Sequence, residues 1–140
     1  MEQETKRSII LEHYQNPRNR GLIEDETYIK INMNNESCID EVNLMVKLGN
    51  DKIKDIRFDG EACAICTSST SVMIETLIGK TIDEAKNIIN NFYNMIEEHE
   101  YDEKLLEQAN AYNDIYKQPS RKKCALLAWW GIEKTLDKKN

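Results

Sequence analysis

The chain has 140 residues and a formal net charge of −6, with 31% of its residues charged. That length suits one domain with a core of its own, spanning residues 1–140, and the acidic balance speaks against nucleic acid as the main partner. No apolar stretch approaches the roughly 20 residues of a membrane span, and the opening MEQETKRSII has acids where a secretory leader has bases, so the expected setting is the cytoplasm, off the membrane.

Residues 5–15 (TKRSIILEHYQ) read as a short helix with Ile9, Ile10 and Tyr14 available to a core. The run Asn16-Pro17-Arg18-Asn19-Arg20-Gly21 stops it and turns the chain. Three strands are expected next, over Tyr28–Met33, Val42–Leu48 and Lys52–Phe58. In the second, Val42, Leu44, Val46 and Leu48 alternate with mostly polar neighbours, and Gly49-Asn50-Asp51 is a hairpin signal. Three short strands with one apolar face form an antiparallel meander that needs helices on one side.

Those helices follow. The first is expected from Cys63 to Ile78 and ends at Gly79, a good residue just past a helix end. Thr81-Ile82-Asp83-Glu84 is a capping box, opening a helix in which Ile82, Ala85, Ile89, Phe92 and Ile96 recur at helical spacing. Glu97–Glu103 is acidic and expected to be exposed, and Asp102–Tyr112 reads as a further short helix. The last helix runs from near Ser120 to about Asp137, with Trp129 expected in the core and Trp130 as a surface anchor. The fold class is therefore α+β: a small antiparallel three-stranded sheet covered by helices.

Four cysteines, Cys38, Cys63, Cys66 and Cys124, are too widely spaced for a zinc finger, and a disulfide framework does not suit a cytoplasmic chain. Three of them fall at element ends. Cys38, with Asp40 two residues on, lies between the first two strands; Cys63 lies between the third strand and the long helix; Cys124 lies in the first turn of the last helix. A thiol at a helix N-terminus sits among unpaired N–H groups and the positive end of the helix dipole, which favours thiolate. Three thiolates and a carboxylate match the ligand number of tetrahedral Zn²⁺, and thiolates also hold iron–sulfur clusters. The metal-ligand set expected is Cys38, Asp40, Cys63 and Cys124. Cys66, one turn after Cys63, is expected to pack inside. His13 and His99 receive no catalytic role, and Ser68, Ser69 and Ser71 have no partner histidine motif for a hydrolase.

At these residues the chain resembles the IscU/SufU group of iron–sulfur cluster assembly proteins, the NifU N-terminal family. HYQNPRNRG (His13–Gly21) is similar to the group's N-terminal signature, SCIDEVNLMV to its Cys-Gly-Asp segment and DIRFDGEACAIC to the turn around its second cysteine. GKTIDEA resembles the helix start that follows, and PSRKKCALLAWWGIE its last cysteine helix. Within the group the chain looks more like the SufU type: Lys123 stands where IscU-type chains place a histidine, and Phe92–Pro119 fits the SufU insertion. The resemblance implies a SufE/NifU-like α+β fold, Zn²⁺ on Cys38, Asp40, Cys63 and Cys124, and a role as sulfur acceptor for a SufS-type, PLP-dependent cysteine desulfurase. It further implies that Cys38 takes the persulfide and that Arg121 assists beside it.

Three residues depart from the group's pattern. Ile39 replaces the glycine between Cys and Asp, Ala62 replaces a glycine before the second cysteine, and Cys66 replaces a serine, adding a thiol near the metal. The function expected is zinc-dependent sulfur transfer in iron–sulfur cluster biogenesis, by a monomer or weak homodimer. Its rivals are a scaffold that assembles a 2Fe–2S cluster on the same residues and a zinc-stabilised interaction domain without catalysis.

Overall fold

The hairpin signal at Gly49-Asn50-Asp51 forms as a two-residue turn: Asn50 and Asp51 have φ of 52° and 63°, and Gly49 pairs with Lys52 across it. Two consecutive left-handed residues match the right-handed twist of the strands they join. The computed structural model describes residues 1–36 and 39–138; Ser37 and Cys38 lie outside it. Helix α1 (Gln3–Gln15) precedes strands β1 (Ile29–Asn34), β2 (Glu41–Gly49) and β3 (Lys52–Asp59), which form an antiparallel sheet in the order β1-β2-β3. Helices α2 (Ala64–Leu77), α3 (Ile82–Ile96), α4 (Glu103–Leu106) and α5 (Pro119–Lys138) follow, with 3-10 turns at Glu107–Tyr112 and Ile115–Lys117.

Strand alternation sends Val42, Leu44 and Val46, with Ile56 and Phe58 opposite them, into the core. Helix α5 lies against β1 and β2 at Gly131, where a Cβ would come within 2.6 Å of Leu44 and 2.8 Å of Met33. The glycine thus sets how close helix and sheet approach. Trp129, fully buried, stacks on Phe92 with ring centroids 3.9 Å apart, which ties α5 to α3.

Helix α2 packs against both α1 and α5 and is buried almost all round, despite the polar run Thr67-Ser68-Ser69-Thr70-Ser71. Its hydroxyls are satisfied internally. Thr70 donates to the Cys66 carbonyl and Ser69 to that of Ala125, while the Tyr112 hydroxyl and the Trp129 indole N–H donate to Ser68 and Ser69. The small side chains let neighbouring helices come close without leaving orphaned polar atoms.

The HYQNPRNRG segment is a structural clamp. His13 is buried, with Nδ1 2.7 Å from Ser71 Oγ and Nε2 2.6 Å from Gln108 Oε1 and 3.3 Å from Glu75. Nε2 faces only acceptors and so donates to them. Asn19, at φ 53°, donates to Asp55 and to the Ile56 carbonyl, and the Phe58 amide donates to the Asn19 carbonyl. Gly21 N–H then donates to the Phe58 carbonyl, so this segment runs beside β3.

The structure corrects three details. Tyr14 is 47% exposed, and the buried residues of α1 are Lys6 and His13. Residues 102–112 are not one helix, because Glu107 at φ 47° breaks it after α4. Cys124 lies in the second turn of α5, which begins at Pro119, a residue suited to a first helical position. Among the described residues, no helix is long and apolar enough to cross a membrane.

Candidate metal centre

Gly60 brings the site together. Its φ is 139°, and a Cβ there would sit 2.1 Å from the Glu41 carbonyl oxygen. Only glycine permits β2's first residue to pass so close to the turn that leaves β3. The Glu41 amide then donates to the Glu61 carbonyl at 2.7 Å, and the Asn35 amide to the Asp40 carbonyl at 3.0 Å, which fixes the backbone at Asp40 on both sides.

Cys63 is the N-cap of α2, and its Sγ accepts from the Cys66 amide at 3.4 Å. Its own amide donates to Asp40 Oδ1 at 2.8 Å, while Asp40 Oδ2 lies 3.8 Å from Cys63 Sγ. Cys124 enters from α5. One ligand atom from each of Asp40, Cys63 and Cys124 lies within 4.8 Å of the others. Asp40 and Cys124 are buried, and Cys63 is half-buried.

This donor set fits a zinc ion. Bonds of about 2.3 Å to sulfur and about 2.1 Å to oxygen at a tetrahedral angle put S and O roughly 3.6 Å apart, and the Cys63–Asp40 separation is 3.8 Å. Burial, followed by the hydrogen bond to Asp40 and the charge of Cys63, pushes the Cys124 thiol above its usual range. A cation at the shared point reverses that cost, since a coordinated thiol is deprotonated. Cys66 is fully buried, and burial, then the charge of Asp40, raises its thiol as well. It is not one of the three converging residues.

Cys38, the fourth expected ligand, lies outside the described residues. Asp40, Cys63 and Cys124 come together as the residue types suggested, and Arg121 lies in the first turn of α5, three residues before Cys124. A groove of about 550 Å³ opens beside this corner, lined by Asn34, Asn35, Glu36, Lys123, Leu127 and Trp130 among others. Asp40's hydrogen bond to the amide of Cys63 was not legible in advance; only its spacing from Cys38 drew attention to it. His13 is a core residue, and His99 lies on an exposed stretch.

A three-stranded sheet backed by helices, with a buried acid and two thiols meeting at one end, defines an α+β domain with a candidate metal centre. Residues 5–136 match the family described as the NifU-like N terminal domain, and the chain belongs to that family. Over 133 residues it is 38% identical to the zinc-dependent sulfurtransferase SufU of Bacillus subtilis, covering 94% of this chain and 89% of that one. It is 33% identical over 129 residues to the iron–sulfur cluster assembly scaffold protein IscU of Thermotoga maritima, covering 92% and 90%. A crystal structure of SufU from Fervidobacterium islandicum, described as a cluster assembly scaffold for the SUF system, superposes with a TM-score of 0.83 at 39% identity, over 92% of this chain and 91% of that one.

Proposed function

We propose that this protein is a zinc-dependent sulfurtransferase that accepts persulfide sulfur from a SufS-type cysteine desulfurase in the cytoplasm, supplying iron–sulfur cluster biogenesis. The observation that carries the reading is the convergence of Asp40, Cys63 and Cys124, with Asp40 two residues from Cys38 in sequence. With Cys38 these complete a set of three sulfurs and one oxygen.

The zinc, when bound, keeps the thiols deprotonated at neutral pH and masks them from stray electrophiles. The chain's own part is to deliver one thiolate. Cys38, two residues before Asp40 in sequence, is the thiol assigned the attack. Its thiolate attacks the outer sulfur of the desulfurase's cysteine persulfide. A new S–S bond forms on Cys38, the donor's S–S bond breaks, and the desulfurase's cysteine leaves as a thiolate. Arg121 places a cation near the developing charge. The groove between Glu36 and Trp130 gives a partner's persulfide-bearing loop room to approach.

The test is stimulation of a SufS-type desulfurase by the zinc-loaded chain. Cys38→Ala is expected to abolish stimulation and leave the circular dichroism spectrum unchanged; full stimulation by that variant overturns the assignment. Charge reversal at Arg121 to Glu is expected to lower stimulation without removing zinc.

The second reading, a scaffold for a 2Fe–2S cluster, draws on the thiol-rich donor set and the similarity to IscU of Thermotoga maritima. Lys123 beside Cys124 offers no imidazole to it. Anaerobic reconstitution after zinc removal separates the two: the sulfur-transfer reading expects no lasting cluster absorbance.

A further inference from the structure

Cys66 is used neither by the converging ligand set nor by the proposed transfer, yet it shares the opening of α2 with Cys63. Cys63 is the N-cap and Cys66 the third helical residue, and the Cys66 amide donates to Cys63 Sγ at 3.4 Å. The first thiol is half-buried and the second fully buried. Helix geometry sets such a pair about 5 Å apart at Cα, inside the 4.4–6.8 Å window of disulfides. A Cys-x-x-Cys pair at a helix start, with an accessible first sulfur and a sheltered second, is the arrangement of a dithiol that oxidises reversibly.

We propose that Cys63 and Cys66 are a modification site: in the metal-free chain they form a disulfide under peroxide, with Cys63 as the attacked thiol and Cys66 as the resolving one. The Cys63 thiolate attacks one peroxide oxygen, the O–O bond breaks, and sulfenic acid forms on Cys63 with hydroxide leaving. Cys66 sulfur then attacks Cys63 sulfur, the S–O bond breaks, and water leaves as the S–S bond closes. The two electrons lost by the thiols reduce the peroxide. A dithiol reverses the step through a mixed disulfide.

Cys124 competes for the same sulfenic acid, since its sulfur is within 4.8 Å of Cys63. It belongs to another helix, however, held by the Ser69–Ala125 hydrogen bond, the Trp129–Phe92 stack and the close approach at Gly131. A bond to Cys124 joins two helices that are each held by other contacts, whereas one to Cys66 lies within a single turn at the head of α2. The consequence for sulfur transfer rests on the zinc reading above: a Cys63 held in a disulfide cannot ligate, so oxidation releases the metal, and reduction restores a binding-competent site instead of leaving a damaged one.

The test treats the full chain, zinc-loaded and chelated, with hydrogen peroxide, then blocks free thiols and maps peptides by mass spectrometry. The chelated chain is expected to lose one pair of hydrogens and yield a Cys63–Cys66 linked peptide, and dithiothreitol is expected to restore its zinc binding. Zinc-loaded chain is expected to resist until its metal leaves. Cys66→Ser is expected to keep zinc but accumulate sulfinic acid on Cys63 and lose recovery by dithiothreitol. A Cys63–Cys124 or Cys38-linked peptide in place of Cys63–Cys66, or equal recovery in Cys66→Ser, overturns the proposal. Zinc content is measured separately, so a chain that forms the disulfide but holds no zinc sinks only the metal reading.

Discussion

Gly60 is the residue on which the site's geometry turns. In Gly60→Ala a φ of 139° and a 2.1 Å approach to the Glu41 carbonyl must both be relieved, which is expected to cost about 3 kcal/mol or more and to scatter Asp40 from Cys63. A urea melt together with zinc analysis checks both effects. His13→Ala, by contrast, empties a buried ring site and takes one hydrogen-bond partner from Ser71 and one from Gln108, and is expected to cost about 2–4 kcal/mol while zinc stoichiometry is unchanged at 25 °C. The convergence of Cys63 and Cys124 was legible in the sequence because thiols are scarce and each fell at an element's end. His13 was not, since apolar periodicity ranks residues by hydrophobicity and this ring is buried through its hydrogen bonds. The same blind spot hid Lys6, whose ammonium lies 2.7 Å from Asp114. That hydrogen bond, more than any other cause, holds the Asp114 carboxyl below its ordinary range. A depressed carboxyl stabilises the fold above its unfolded pKa, here near 3.8. Thermal melts of Lys6→Met are accordingly expected to fall below wild type at neutral pH, with the gap closing as pH drops through the folded value.

The elements followed from local chemistry wherever one signal stood unopposed. The capping box at Thr81 forms with both of its hydrogen bonds, and Asn50-Asp51 makes the tight turn that sets the β2–β3 register. Thr81→Ala removes the hydroxyl that accepts from the Glu84 amide and is expected to cost about 1 kcal/mol, read from a denaturation midpoint, with zinc content and desulfurase stimulation unaltered. Between residues 102 and 112 the helical pattern was real but not decisive. The left-handed Glu107 breaks the helix, and Asn110 donates to the carbonyls of Glu103 and Glu107 across the break. Helix α2 is a different case. Its Thr-Ser run is small and uncharged, and four neighbours close over it: α1, α5, β3 and the 3-10 turn at Glu107–Tyr112. Small hydroxyl side chains at such a crossing serve packing, while the particular partners of each hydroxyl come only with the fold.

Across the whole molecule, a metal at this corner joins parts distant in sequence: Asp40 before β2, Cys63 at the head of α2 and Cys124 in α5. Binding only the folded chain, zinc at 100 times its dissociation constant adds about 2.7 kcal/mol, worth roughly 10 °C in a chain of this size. Chelation is expected to lower Tm by that order, and equimolar zinc to restore it; a Tm indifferent to chelation tells against a shared ion. The core is apolar and extensive, with Leu44, Phe92 and Trp129 fully buried within it. The metal-free chain is therefore expected to keep its far-ultraviolet spectrum.

Asp40 divides its labour between two oxygens. One, Oδ1, receives the amide of Cys63; the other faces the sulfur. An alanine here removes an anchor of the helix start along with a donor to the ion, so lost activity in that variant has two indistinguishable origins. Asparagine, turned so that its carbonyl keeps the amide and its NH₂ replaces the second oxygen, leaves the anchor and withdraws the charge together with the second oxygen's lone pairs. Comparing the two substitutions separates architecture from coordination at one position.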